Sequence, residues 1–189
     1  MSPPVAYGPG VPEAVGGWTI FGERSAYESP WVRVRLVDVE APEGRRFDYH
    51  VVDLSRVAVA LVVDDDRVLL LWKYRFPAGQ WGYELPGGIV DDGEAPGTAA
   101  ARETAEETGW HVTGEGEHLL SIEPLPGQVR ARIDAYLWRG AEHVGDPTDP
   151  AEDGTVAWVD VARIPELVAR GEVLGAATAT ALMYFYGTR

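Results

Sequence analysis

Alternating apolar and polar positions predict two strands early in the chain. The segment Trp31–Glu40 alternates, but its apolar residues change faces after Leu36, which predicts a β-bulge near that residue. A turn follows, and Phe47–Leu54 alternates again, so the two segments are predicted to form an antiparallel hairpin. We therefore expect a small N-terminal antiparallel β-module over residues 18–55.

Residues 1–17, which precede this module, are dense in proline and glycine and are predicted to form a flexible or extended tail. They contain neither the basic stretch nor the apolar stretch of a signal peptide. No later segment reaches the ~20 consecutive apolar residues of a membrane-spanning helix. These features predict a cytoplasmic protein.

Longer apolar segments predict the central sheet of a second domain over residues 56–189. Arg56–Val63 and Arg67–Phe76 flank three aspartates, so they are predicted to be two largely buried strands joined by a tight turn. Later strands are predicted from His118, Ala131 and Thr155, and helices over Pro165–Arg170 and Ala176–Tyr186. Many strands, one helix, more strands and then helices are typical of a layered α+β fold.

The single helix among the strands lies within Gly87–Trp110, where carboxylates are concentrated. A helix that begins at Pro96 or Thr98 and ends at Gly109 presents three carboxylates on one face, those of Glu103, Glu106 and Glu107. Its opposite face carries only alanine and threonine, so the helix can approach a sheet closely. Packing therefore does not explain the glutamates.

Carboxylates about 5 Å apart repel one another by about 3 kcal/mol per pair at an effective dielectric near 20, so we expect a cation between them. One candidate is Arg102, which is placed to reach Glu106 or Glu94. The other is Mg²⁺ or Mn²⁺, which takes oxygen ligands and favours sites that also hold a phosphate. An ordinary solvated helix face is the third interpretation.

The loop before the helix favours a metal site. Gly87 and Gly88 allow backbone conformations that other residues resist, so a carbonyl can turn toward a metal. Together with the helix N-terminus and bound ions, these glycines are predicted to form an anion site.

Charge and cysteine content restrict the partners and the ligands. The formal net charge of −14 opposes broad contact with nucleic acid or an anionic membrane, so we expect neither as a partner. The sequence contains no cysteine, so any metal must bind oxygen or imidazole. Four histidines are scattered without the spacing of metal ligands, namely His50, His111, His118 and His143.

The carboxylate helix and its loop resemble the Nudix box, G-x5-E-x7-R-E-U-x-E-E-x-G-U, in which U is apolar. Every fixed letter is matched, by Gly88, Glu94, Arg102, Glu103, Glu106, Glu107 and Gly109. Two U positions depart from the pattern, since Thr104 replaces an aliphatic residue and Trp110 is unusually large. Neither is a ligand position, so the departures concern local packing.

Resemblance to the Nudix family implies a mixed β-sheet sandwiched between helices and metal-dependent hydrolysis of a nucleoside diphosphate linked to another group. It implies Mg²⁺ or Mn²⁺ bound by Glu103, Glu106, Glu107 and the backbone carbonyl of Gly87. Glu94 and Arg102 would then brace the loop against the helix, and Gly88 and Gly109 would be structural.

Beyond the box, the region from Trp31 to Phe185 resembles the ADP-ribose pyrophosphatases and related nucleotide-sugar hydrolases. This resemblance implies conversion of ADP-ribose to AMP and ribose 5-phosphate by a homodimer formed through the N-terminal module. NADH, GDP-sugars and dinucleoside polyphosphates are alternative substrates. A non-catalytic module that senses a nucleotide is the alternative class of function.

The same branch implies functions for residues outside the box. Arg75 matches an arginine that contacts diphosphate or ribose, with a surface salt bridge as the alternative. Phe76 and Trp81 either stack on a base or pack against the protein.

The general base is implied on a loop well beyond the helix. Glu152 best matches a glutamate that completes the site there, as metal ligand or as base. The alternatives for the base are Asp149, Asp153 and Glu103.

Overall fold

A computed structural model describes residues 12–148 and 154–189 of the chain. The chain divides into two compact units. The first contains the described residues up to Ser55 together with Leu125–Ala131, and the second contains the described residues of 56–124 and 132–189. Across these described ranges, no helix has the length and apolar character needed to cross a membrane.

The first unit is one five-stranded sheet. Its strands are β1 (Glu13–Val15), β2 (Trp18–Glu28), β3 (Val32–Glu40), β4 (Arg46–Leu54) and, from later in the chain, β11 (Val129–Arg130). They are arranged in the order β1-β2-β3-β4-β11, and β11 alone runs parallel to its neighbour. The antiparallel pairing of β3 with β4 confirms the predicted hairpin. Residues 1–11 of the predicted tail lie outside the described residues. Residues 13–15 of the tail form β1 and pair with β2, so this part is extended and joined to the sheet, not flexible.

The prediction of a bulge near Leu36 is wrong. β3 pairs with β4 from end to end without a register shift. The apolar residues change faces because Arg35, which is 4% exposed, occupies a buried position. Its guanidinium forms ion pairs with Glu23 and with Asp53, the latter at 2.5 Å. The hydrogen bond to Asp53 raises the pKa of Arg35 above its usual value although burial lowers it.

The second unit contains a seven-stranded mixed sheet. Its strands are β5 (Val57–Asp64), β6 (Arg67–Arg75), β7 (Gln80–Glu84), β8 (Gly87–Ile89), β10 (Glu117–Ile122), β12 (Ile133–Arg139) and β14 (Gly154–Asp160). The main path is β10-β12-β5-β6-β14, with β7 paired to β6 and β8 paired to β5. β12 runs parallel to β5, and the other pairs are antiparallel. Two short strands, β9 (Trp110–Val112) and β13 (Ala141–His143), pair separately.

Helices cover both faces of this mixed sheet. They are α1 (Pro96–Thr108), α2 (Ile164–Ala169) and α3 (Ala176–Gly187). Successive residues of β5 point to opposite faces, so Ala58 and Ala60 pack toward α1 while Val59 and Leu61 pack toward α2 and α3. The small side chains between β5 and α1 allow the close approach predicted from the sequence. The arrangement confirms the predicted α+β fold with a mixed sheet between helices.

Candidate active site

Helix α1 ends where the sequence predicts, at Gly109. This glycine has φ 72°, and its amide donates to the carbonyl of Ala105 at 2.9 Å. A Cβ atom at this position would collide with the backbone carbonyl of Gly145. The end of the carboxylate helix therefore requires glycine both for its conformation and for its close neighbour.

The glycine loop predicted before α1 is formed by the short strand β8, which begins with Gly87 and Gly88, and by the turn after it, and it contacts two of the three glutamates. The amide of Gly87 donates to Oε2 of Glu107 at 2.7 Å. A Cβ atom at Gly88 would lie 2.5 Å from Oε1 of Glu103, so the Glu103 carboxylate lies directly against the backbone of Gly88. Because β8 is paired with β5, this loop is fixed to the central sheet.

The three glutamates differ in exposure. The side chain of Glu107 is 3% exposed, that of Glu103 is 18% exposed and that of Glu106 is 44% exposed. The carboxylates therefore extend from the protein interior to solvent along one side of α1.

Arg102 lies among the carboxylates. Its Nε and Nη2 atoms donate to Glu94 at 3.1 and 3.0 Å, and its Nη1 atom donates to Glu103 at 2.8 Å and Glu106 at 3.1 Å. The hydrogen bond from Arg102 lowers the pKa of Glu94, and the hydrogen bond to Glu94 raises that of Arg102. Both partners considered for Arg102 from the sequence are found, and Arg102 joins the loop to the helix.

Lys73 is a site residue that the sequence analysis missed. Its Nζ atom lies 2.5 Å from Oε1 of Glu107, and its side chain is 4% exposed. On the neighbouring strand β14 its partner is Gly154, where a Cβ atom would lie 2.9 Å from Cγ of Lys73. The sequence does contain a signal for it, since Lys73 lies on the same face of its strand as Leu69 and Leu71. A charged residue on a buried strand face requires a partner.

Arg75 lies two residues further along β6 and is bound by Glu84. Its Nε and Nη2 atoms donate to Oε2 of Glu84 at 3.0 and 2.7 Å, and its side chain is 42% exposed. Trp81 is 52% exposed and stacks on Trp72, with ring centroids 6.2 Å apart, whereas Phe76 is 84% exposed. Contact of Arg75 with substrate stays a prediction.

The predicted base Glu152 and its alternatives Asp149 and Asp153 lie outside the described residues. The chain just before them runs beside α1, since the amide of Thr148 donates to the carbonyl of Glu106 at 2.8 Å. A groove of about 690 Å³ lies between this segment and α1, and Arg102 and Glu106 are among its lining residues.

The donor atoms fit a hard divalent ion, since the carboxylates supply only oxygen and lie within about one helical turn. In residues 12–148 and 154–189, however, no three acidic or histidine side chains already form a coordination cage. Arg102 stands between Glu103 and Glu106, and Lys73 holds Glu107. A divalent ion would therefore compete with two cationic side chains.

Comparison with known proteins gives concordant findings. The family model of the NUDIX domain matches residues 54–177. A CMP-5′-(N-acetyl-N-hydroxy-3-aminopropyl)phosphonate hydrolase from Streptomyces rubellomurinus is 37% identical over 171 residues, which cover 90% of this chain and 82% of the relative. An ADP-ribose pyrophosphatase from Mycobacterium tuberculosis is 31% identical over 145 residues, which cover 75% and 70%.

A solved structure is similar over nearly the whole chain. The crystal structure of an ADP compounds hydrolase superposes with a TM-score of 0.80 at 19% identity and covers 93% of this chain and 95% of its own. At that identity the likeness supports the fold alone.

Proposed function

This chain belongs to the NUDIX family of hydrolases, and we propose that it uses Mg²⁺ or Mn²⁺ to hydrolyse the diphosphate linkage of a nucleoside diphosphate derivative. The observation that carries the proposal is the contact between the glycine loop and the carboxylate helix. The Gly87 amide is bonded to Glu107, and the Glu103 carboxylate lies against Gly88. This contact, between the backbone of Gly87 and Gly88 and two of the three carboxylates, supports a metal site at this position.

Glu103, Glu106, Glu107 and the carbonyl of Gly87 would hold the ion. When bound, the ion supplies neutralisation of phosphate charge and acidification of a water molecule. The net charge of −14 supports this need for a cation, because a diphosphate would otherwise be repelled.

The side chains then have separate tasks. Arg102 keeps the loop and the helix joined through Glu94, and Arg75 exchanges its contact with Glu84 for the diphosphate or ribose. Glu103 or Glu152 accepts a proton from the attacking water. The water oxygen bonds to one phosphorus as the bridging P–O bond breaks, which releases a nucleoside 5′-monophosphate and a second phosphorylated product.

We propose ADP-ribose as the first candidate substrate, with AMP and ribose 5-phosphate as products. The similarity to the M. tuberculosis ADP-ribose pyrophosphatase supports it. A CMP-linked phosphonate is the second candidate, because the S. rubellomurinus hydrolase is 37% identical and the match covers 90% of this chain. Both candidates join a nucleoside 5′-phosphate to a second phosphorus-containing or sugar-phosphate group.

The test is a substrate panel incubated with Mg²⁺ or Mn²⁺ in H₂¹⁸O, with products identified by mass spectrometry. The panel contains ADP-ribose, a CMP-linked phosphonate, NADH, a GDP-sugar and a dinucleoside polyphosphate. Release of a nucleoside monophosphate, with ¹⁸O in one product, supports the proposal. Tight binding of ADP-ribose without hydrolysis would instead identify a sensing module.

We also propose that the protein is a homodimer formed through its first unit. Large apolar side chains are exposed there, at Val15, Tyr27, Trp31, Leu54 and Leu125. Contact between two copies would remove these apolar side chains from water. Sedimentation velocity of the full chain and of Trp31→Glu tests this, with a shift from dimer to monomer expected in the variant.

A further inference from the structure

Lys73 is the only lysine in the chain, since the other fifteen of its sixteen basic residues are arginines. It is also buried, and it contacts a glutamate that we assign to the metal site. We propose that Lys73 is a positioning residue that orients Glu107 and sets the affinity of the site for divalent ions. This inference rests on the proposed function.

The geometry of Glu107 supports an orienting function. Its Oε1 atom lies 2.5 Å from Nζ of Lys73, and its Oε2 atom accepts the Gly87 amide at 2.7 Å. Both oxygens are therefore held, from β6 on one side and from the glycine loop on the other. A carboxylate held in this way loses little conformational freedom when a cation binds.

The structure also makes room for the lysine stem. Gly154 lies opposite Lys73 on β14, and a Cβ atom there would lie 2.9 Å from Cγ of Lys73. Any larger residue at Gly154 would press on the stem. β6 thus carries Lys73, and the lack of a side chain at Gly154 on β14 leaves room for its stem to reach Glu107.

The charge of Lys73 has a predictable effect on cation binding. A unit positive charge in contact with Glu107 repels a divalent ion that approaches the same carboxylate, and the repulsion is strong because the pair is screened little by water. Lys73 therefore makes the site bind divalent ions less tightly than its three carboxylates alone would. Weaker binding lets bound ions exchange with solution.

The test measures Mn²⁺ binding directly, by the loss of the electron paramagnetic resonance signal of free Mn²⁺, for the full chain and its variants. Lys73→Gln keeps a polar group and removes the charge, and we expect its Kd to fall by at least about tenfold. Lys73→Arg keeps the charge, so its Kd should stay within about threefold of wild type. A damaged fold in Lys73→Gln would raise its Kd for Mn²⁺, whereas loss of the positive charge lowers it. The two causes therefore give opposite results.

Arg67→Gln is the matched control, because it removes one positive charge from the same strand. Arg67 is exposed and lies six residues from Lys73 on β6, about 20 Å away at the usual rise of a strand. The Kd of Arg67→Gln for Mn²⁺ should therefore remain within about threefold of wild type. Equal Mn²⁺ affinity in Lys73→Gln and Arg67→Gln, with wild type still binding and hydrolysing, would overturn the inference and leave the proposed function standing.

A second measurement uses wild type alone, so it does not depend on the folding of a variant. Lysine labelled with ¹³C at Cε gives a single side-chain resonance that needs no assignment, because the chain has one lysine. We expect this resonance to shift when Mg²⁺ is added. An unchanged resonance under Mg²⁺ concentrations that support hydrolysis would overturn the inference, whereas absence of both metal binding and hydrolysis would overturn the proposed function itself.

Discussion

The backbone amide of Gly87 donates a hydrogen bond to Oε2 of Glu107 at 2.7 Å. This contact joins β8, a strand of the central sheet, to the last turn of α1, twenty residues later in the chain. Arg102 adds a second connection through Glu94. The loop and the carboxylate helix therefore behave as one structural element, and the predicted metal site depends on that connection.

Replacing Gly88 with alanine should damage activity more than stability. The new Cβ atom would lie 2.5 Å from the carboxylate of Glu103 and would displace it. We expect turnover to fall by about a hundredfold or more, because a displacement of about 1 Å in a catalytic group has effects of that size. Steady-state kinetics and thermal melting measure the two effects separately.

Gly187→Ala provides the control for this substitution. A Cβ atom at Gly187 meets no heavy atom within 4 Å, and the residue ends α3. Its turnover should match wild type. Wild-type turnover in Gly88→Ala would contradict the close contact with Glu103.

Glu103→Gln tests the carboxylate itself. The substitution keeps the size of the side chain and removes the negative charge, and with it a metal ligand and a candidate base. We expect a loss of about a thousandfold or more in kcat, in line with removal of a group that stabilises charge or transfers a proton. Circular dichroism should show an unchanged fold, and full activity in this variant would remove Glu103 from the mechanism.

Arg35→Met should destabilise the protein, because Glu23 and Asp53 lose their buried guanidinium partner and keep only the more exposed Arg33 and Arg130. Breaking one side of a buried ion pair costs up to about 3–5 kcal/mol, and the remaining pairs reduce this cost, which is measurable as a lower urea midpoint. Arg24→Met is the matched control on the same sheet, since Arg24 is 58% exposed and pairs with an exposed Asp48. The control should leave the urea midpoint unchanged, and equal midpoints in the two variants would contradict the prediction.

Asp134 should make stability depend on pH. Burial by itself raises the pKa of this carboxyl, but hydrogen bonds from Arg56 and Ser121 and the charges of Arg56 and Arg132 hold the pKa below its usual value. A lowered folded-state pKa stabilises the protein above the unfolded-state pKa of about 3.9, and this contribution is lost as the pH falls through the folded-state pKa.

Urea unfolding of wild type and Asp134→Asn from pH 7 to pH 3 measures this contribution. The difference in unfolding free energy between the two proteins should be constant above about pH 5 and should shrink as the pH falls below about 4. A difference that does not change with pH would show that folding does not lower the pKa of Asp134.

Local signals in the sequence are sufficient for the elements that carry the site. Pro96 and Gly109 mark the two ends of α1, and helical spacing alone predicts that Arg102 lies near Glu106. The three aspartates at the end of β5 and just after it likewise predict its hairpin with β6, in which Asp65 has φ 52°. These features depend on residues that are close together in the chain.

Features that depend on distant residues do not follow from local signals. The pairing of Lys73 with Glu107 joins residues 34 positions apart, and nothing near either residue indicates the other. The alternation of β3 predicts a bulge near Leu36 only if Arg35 faces solvent, whereas Glu23 and Asp53 on the neighbouring strands allow its burial. Because an ion pair between strands can bury a charged side chain, a polar residue in a strand does not by itself indicate a solvent-facing position.

The most direct measurement of the central claim is anomalous diffraction from crystals of the full chain soaked in Mn²⁺. The account predicts an anomalous peak about 2.0–2.3 Å from carboxylate oxygens of Glu103, Glu106 or Glu107 and from the carbonyl oxygen of Gly87, with Nη1 of Arg102 moved away from Glu103. Crystals of a hydrolytically active protein in which these glutamates keep only their contacts with Arg102 and Lys73, and in which no peak lies beside α1, would contradict it.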